Sequence, residues 1–221
     1  MMVKTRGVVL HTIRYSDKSL IAEVFTEQYG ALSFLVRVPN QRKSVMKNVL
    51  LSPLTLLEID FDYRERVRLQ RLTEVRVAEP YASLPYHPLK QTIALFLGEF
   101  LFHALRDEGT NAPLYAFLHH SLLWLDTAPQ GFVNFPVALL LRLSRFLGIW
   151  PTEEEARTMV PAEDQVYVPL VLRMDFHNMH RYQFTREQKT RLLGTLNDYY
   201  RRHVAGFPEL RSMAILREVL S

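Results

Sequence analysis

The sequence predicts an α+β protein: an N-terminal OB-type β-barrel over residues 1–80, then an all-α helical domain over 81–221 with a small irregular insertion at 149–184. Three observations predict it. Apolar residues alternate with period two through the first 80 residues, the period changes to three and four after residue 88, and Pro80, Pro85 and Pro88 stand at the change.

Strand-like runs occupy Lys4 to Ile13 and Leu20 to Thr26, and a third covers Ala31 to Val38 after the Tyr29-Gly30 turn. In that third run Leu32, Phe34, Val36 and Val38 share one face, Ser33 and Arg37 the other. From Leu54 to Tyr63, Leu57, Ile59 and Phe61 alternate with Glu58, Asp60 and Asp62. The last run, Val67 to Val77, begins with Val67 and Leu69 inside and ends with Val75 and Val77 inside. Arg71 falls in phase and Leu72 out of phase, so a bulge is expected near Gln70 to Leu72. About five strands in some 80 residues match a small OB barrel, a fold that binds oligonucleotides across one face and its loops.

From Leu89, the residues Ile93, Phe96, Leu97, Phe100, Leu101, Ala104 and Leu105 recur at helical spacing, and Gly109 ends the run. Pro113 suits the first turn of a second helix through Leu125, and a third, from Phe135 to Leu147, is apolar on most sides apart from Arg142 and Arg145. Residues 149–184 keep neither period. Thr185 with Gln188 forms a capping box for the next helix, Arg201-Arg202 suit its C-terminal dipole, and Leu210 to Leu220 is a short last helix.

There is no cysteine, which excludes disulfides and thiolate zinc sites. No apolar run approaches a membrane span and no signal-peptide pattern opens the chain, so a cytoplasmic protein is expected. The net charge of +4 is unevenly placed: residues 1–80 carry 13 Lys or Arg against 9 Asp or Glu, and the remainder 14 against 14. A basic first segment before a neutral body suggests a polyanion-binding module.

The candidate phosphate ligands are the basic residues with no acidic neighbour in the pattern: Lys4, Arg6, Arg14, Arg37, and Arg42, Lys43 and Lys47 of the loop PNQRKSVMKN. Tyr15 is either a base-stacking ring or a core residue. A hairpin turn at Tyr63 to Glu65 would set Asp62 against Arg66 and Asp60 against Arg68. Glu58, Asp60 and Asp62 then read as an ion-paired face rather than a metal-dependent nuclease site, and Arg66 and Arg68 are weakened as DNA ligands. Arg142 and Arg145, on one helical face, are either a solvated stripe or an acidic-peptide pocket beside apolar side chains. His177 and His180 lack further metal ligands. No catalytic motif is present, so no enzyme and no cofactor are expected; a helical peptide-binding scaffold is the alternative to DNA binding.

The order RGVVLHTIRYSDKSLIAEVFTEQYGALSFLVRV, a basic loop with Ser44, then LLSPLTLLEIDF resembles the N-terminal domain of the RecO family of bacterial recombination mediators. Tyr15, Asp17, Ser19, Leu20, Phe25, Thr26 and Gly30 occupy the family's pattern. ELRSMAILREVL is similar to its C-terminal Lys-Ser helix, with Arg211 where lysine is usual. Without cysteine, the chain resembles the zinc-free members, and Val38-Pro39-Asn40-Gln41 replaces the glycine often found before the loop's arginines. The resemblance implies a non-enzymatic mediator that binds single- and double-stranded DNA and anneals complementary strands. It also implies contact with the acidic C-terminal tail of single-stranded-DNA-binding protein, work with RecR in loading RecA, and a place at the nucleoid. Arg142 and Arg145 are the candidates for that tail.

Overall fold

The computed structural model describes residues 1–16, 18–37 and 50–219. The chain divides into two compact units, Met1–Ala82 with Ala94–His120, and Ser83–Ile93 with Ser121–Ser221.

The first unit is built on a closed five-stranded barrel of β1 (Met2–Ser16), β2 (Ser19–Thr26), β3 (Gly30–Arg37), β4 (Leu56–Asp62) and β5 (Leu69–Val77), in the order β1-β2-β3-β5-β4. All neighbours are antiparallel except β3 and β5. The expected inward places hold for Leu32, Phe34, Val36, Leu57, Ile59 and Phe61, which join Val24 in the buried core; Val38 lies outside the described residues, and Ser33, expected on the other face, is buried too. Phe61 meets Phe34, Tyr29 and Tyr63 edge to face.

The β2–β3 turn explains why Thr26 and Gly30 stand where they do. Buried Thr26 donates its hydroxyl to the Gly30 carbonyl at 2.8 Å and accepts the Tyr29 N–H at 3.1 Å. Gly30 has a φ of 67°, and a Cβ there would lie 2.5 Å from the Gly109 carbonyl carbon.

The expected β4–β5 hairpin is corrected. Glu58 faces Arg76, Asp60 faces Glu74 and Asp62 faces Arg71, so Arg66 and Arg68 are not the cross-strand partners of the carboxylates. The connection is longer than a tight turn because Gln70, buried, binds back across it. Its side chain bonds the Arg64 N–H at 3.0 Å, the Arg64 carbonyl at 2.9 Å and the Val67 carbonyl. The inward places expected for Val67 and Leu69 fail for the same reason, and both are exposed. The bulge falls one residue later than expected, at Thr73, between the pairs Asp60–Glu74 and Phe61–Leu72.

Helices follow: α1 (Pro88–Leu105), α2 (Ala112–Thr127), α3 (Phe135–Phe146), α4 (Glu153–Thr158), α5 (Val168–Leu172), α6 (Arg186–His203) and α7 (Ser212–Val219). Within the first unit Gly98 of α1 lets the helix approach the barrel: a Cβ there would lie 2.7 Å from Pro53 Cβ and 3.0 Å from the Leu10 carbonyl oxygen.

In the second unit α3 is buried along most of its length, with Arg142 as the half-buried exception up to Ser144. It packs against α6, whose buried Tyr200 donates its hydroxyl to the Leu140 carbonyl at 2.8 Å. The capping box forms as expected, the Thr185 hydroxyl accepting from Gln188 N–H and Gln188 Oε1 from Thr185 N–H. Residues 149–184 hold only short helical pieces, tied to α6 where Asp164 accepts from Arg191 at 2.6 and 3.0 Å. Lys90, 2% exposed, closes the start of this unit, donating to Ser83 Oγ, the Asp126 carbonyl and the Ala128 carbonyl.

Candidate nucleic-acid interface

The strand register sorts the expected DNA ligands into two groups. Ser16 lies opposite Ser19, which lies opposite Arg37, and Arg14 lies opposite Leu20. The β1–β2 hairpin and the C-terminal end of β3 therefore share one end of the barrel. Exposed Arg14, Tyr15, Lys18 and Arg37 gather there. The basic loop with Arg42, Lys43 and Lys47 continues from Arg37 in sequence, although those three residues, like Asp17, Val38 and Leu220, lie outside the described residues.

Lys4 and Arg6 are placed elsewhere. They lie opposite Asp60 and Glu58 in the β1–β4 ladder, and the premise that no acid neighbours them is corrected. Lys4 Nζ is 3.6 Å from Glu58 Oε2. Arg6 is gripped by Glu27, Nε to Oε2 at 2.9 Å and Nη2 to Oε1 at 2.7 Å, with its guanidinium 5.7 Å from the Tyr115 ring centre. This bidentate bond raises the arginine's pKa and lowers that of Glu27. Glu58 is lowered chiefly by Arg76, which donates from Nε at 2.8 Å. On the face carrying Glu58, Asp60 and Glu74 only Glu58 is held in ion pairs, by Lys4 and Arg76, while Asp60 lies opposite Glu74 and its Oδ1 is buried without a hydrogen-bond partner among the described residues, so the expected ion-paired face is corrected for Asp60. Among the described residues no group of three possible ligands is disposed to hold a metal ion.

The middle of the outer β2–β3 face is no oligonucleotide platform of the stacking kind. Its ladder rows are Ile21 with Leu35 and Glu23 with Ser33, and Ser33 Oγ donates to the Glu23 carboxylate at 2.8 Å. A fixed anion and aliphatic side chains offer neither phosphate neutralisation nor base stacking. Arg71 lies opposite Leu35 across the parallel β3–β5 pair and opposite Asp62 on its other side, and Arg66, at a φ of 65°, is exposed in the β4–β5 connection. Arg68 is occupied by the Arg106 carbonyl at 2.6 Å.

Sequence reasoning missed Lys18, which Asp17 neutralises on paper, and Arg66, which the wrong hairpin turn set against Asp62. A hairpin drawn with the right loop length would have released Arg66. Arg71 was visible as an in-phase charge, but only the non-local pairing with β3 places it.

A second basic place occurs in the helical unit. Arg145 sits with its guanidinium carbon 3.9 Å from the Trp150 ring centre and Arg142 at 5.6 Å. Arg142 also donates Nε–H to the Met174 carbonyl at 2.9 Å. Burial, then the like charge of Arg145, lowers its pKa against the pull of Asp175. Two guanidiniums beside one indole are groups that a carboxylate can pair with. The expected pair is brought together, and Trp150 is a member that helical periodicity alone did not reveal.

A family model described as Recombination protein O N terminal matches residues 1–81, and one described as Recombination protein O C terminal matches residues 86–155. The chain belongs to the RecO family. Proteins named DNA repair protein RecO from Phocaeicola vulgatus and Bacteroides fragilis are each 40% identical to it, over 100% and 99% of both chains. The protein of that name from Flavobacterium psychrophilum is 33% identical over 100% of both. The RecO pattern thereby acquires physical reasons: Phe25 is core, Thr26 and Gly30 build the β2–β3 turn, and Tyr15 and Ser19 flank the hairpin end.

Proposed function

We propose that this chain acts in DNA repair as a non-enzymatic recombination mediator. It binds single- and double-stranded DNA through the basic end of the barrel and anneals complementary strands. It takes the acidic C-terminal tail of single-stranded-DNA-binding protein at Arg142 and Arg145 and, with RecR, helps to load RecA onto the coated strand. Family membership supports the repair role. The observation that carries the DNA-binding part is the convergence of Arg14, Lys18 and Arg37 on one barrel end, from which the basic loop continues in sequence.

Such a cluster neutralises phosphates without reading bases, which is what pairing two arbitrary complementary strands requires. Lys4 and Arg6, committed to Glu58 and Glu27, are left out of the phosphate site. At the helical site, two guanidiniums and an indole suit a peptide ending in acidic and aromatic residues. No helix among the described residues is long and apolar enough to cross a membrane, in keeping with work at the nucleoid in the cytoplasm.

The test is fluorescence anisotropy of a labelled single-stranded oligonucleotide across salt concentrations, repeated with excess of a peptide ending in an acidic Asp-Phe tail. The expected result is binding that weakens steeply with salt, a shallower slope after joint replacement of Arg42, Lys43 and Lys47 by alanine, and an effect of the peptide. Absence of DNA binding at low salt would remove the mediator reading. The protein would then be a helical interaction scaffold whose barrel binds a peptide rather than nucleic acid.

A further inference from the structure

Base stacking needs an exposed ring, and the barrel has few to offer. Phe25, Phe34 and Phe61 are buried, and Tyr29 and Tyr63 pack against Phe61 from the half-buried margin of the core. Tyr81 is half-buried and donates its hydroxyl to the Leu54 carbonyl at 2.6 Å. Tyr15 is different. Its side chain is 65% exposed, and it is the exposed aromatic residue among the described residues of 1–82.

Its place in the ladder is also unusual. Arg14 pairs with Leu20 and Ser16 with Ser19, so Tyr15 is the extra residue of a register shift and faces no residue of β2. Such a bulge turns a side chain out of the regular alternation, and bulges recur next to functional sites. Ile13, on the strand beside it, is 45% exposed and extends the apolar surface. Arg14 precedes this position in the strand, Arg37 lies opposite Ser19, the partner of Ser16, and Lys18 stands in the turn that joins the two strands.

We infer that Tyr15 stacks on an unpaired base of single-stranded nucleic acid whose phosphates are held by the hairpin-end cations, so that the site prefers an open strand to a paired duplex. The inference rests on the proposed DNA-binding reading and adds to it a residue that senses bases rather than charge. Every base has a π-face, so one tyrosine gives this preference with no sequence code. In a duplex the bases are already stacked on their neighbours, and the ring finds only backbone. A strand held by phosphates with one base on Tyr15 keeps its remaining base edges free to pair, which suits annealing.

The experiment compares a labelled oligothymidine of about 16 nucleotides, within the span one barrel covers, with an abasic strand of equal length and charge. Wild type, Tyr15→Ala and Tyr15→Phe are titrated with each at one low salt concentration, and thermal melting confirms that the variants fold. Wild type should bind the strand with bases more tightly. Tyr15→Ala should lose about 5- to 100-fold on that strand and nothing on the abasic one, with Tyr15→Phe keeping the wild-type preference. Equal binding of both strands by wild type, equal loss on both in Tyr15→Ala, or a folded Tyr15→Phe as weak as the alanine variant would overturn the inference and leave the phosphate-binding reading intact. Binding of neither strand by wild type would overturn both.

Discussion

Arg6 and Glu27 form a two-point bond across the base of the barrel, Nε to Oε2 at 2.9 Å and Nη2 to Oε1 at 2.7 Å. The geometry makes Arg6 a structural residue rather than a free phosphate ligand. Because both side chains are partly solvated, the pair contributes about 1 kcal/mol. Arg6→Ala should lower the melting temperature by about 2–4 °C while changing affinity for DNA less than twofold. The sign with pH follows from Glu27, whose folded pKa is lowered. Its contribution is present above the unfolded carboxylate value, about 4.3, and is lost as the pH falls through the lower folded one. Wild type should therefore lose more stability than Arg6→Ala on acidification in that window, as read by melting curves at a series of pH values.

Gly30→Ala should be among the most damaging changes in the barrel. The new Cβ would meet the Gly109 carbonyl carbon at 2.5 Å and the Glu108 carbonyl oxygen at 2.6 Å, in a turn with a φ of 67°. Backbone atoms cannot swing away as a side-chain tip can. A loss of about 3 kcal/mol or more is expected in urea unfolding, with the midpoint moved and the slope unchanged.

Asp164 is buried while its partner Arg191 reaches solvent, so the two ends of this pair respond differently. Asp164→Asn keeps the shape and loses the charge-assisted bonds, costing about 2 kcal/mol. Arg191→Ala leaves a buried carboxylate without its bidentate donor and should cost more. Arg191 holds the Asp164 pKa down, so this stability too is present above the ordinary aspartate range and disappears on acidification through the folded value. Calorimetry of the two variants beside wild type gives the order directly. Equal losses would contradict it.

Arg145→Ala should weaken an acidic-tail peptide about tenfold, the loss of one exposed cation held beside an aromatic ring, without touching affinity for DNA. Trp150 lies 3.9 Å from that guanidinium and serves as the reporter. Its fluorescence should change on peptide addition in wild type and respond only at about tenfold higher peptide in the variant.

The strands and helices were legible because one face of each is apolar at a fixed period: Leu57, Ile59 and Phe61 announce β4, and Thr185 with Gln188 announces the start of α6. Loop length was not. A period-two pattern does not record how far Gln70 draws the β4–β5 connection, so the partners of Asp60 and Asp62 were misjudged. The site was partly legible for a related reason. Charge without an acid nearby in sequence picked Arg14 and Arg37, but Glu27, 21 residues from Arg6, lay beyond any local view. Tyr15 stayed ambiguous until the register shift at its position showed it facing no residue of β2.

The central claim is that phosphates are held at the hairpin end of the barrel and not along the face of β1, β4 and β5. It is tested by the slope of log affinity against log salt for a labelled single strand, measured for wild type, for Arg14→Ala/Lys18→Ala/Arg37→Ala, and for Lys4→Ala/Arg76→Ala. The account predicts that the first variant lowers the slope by about 2, near 0.7 for each lost phosphate contact, and that the second leaves it unchanged. An unchanged slope in the first variant together with a flattened one in the second would contradict it.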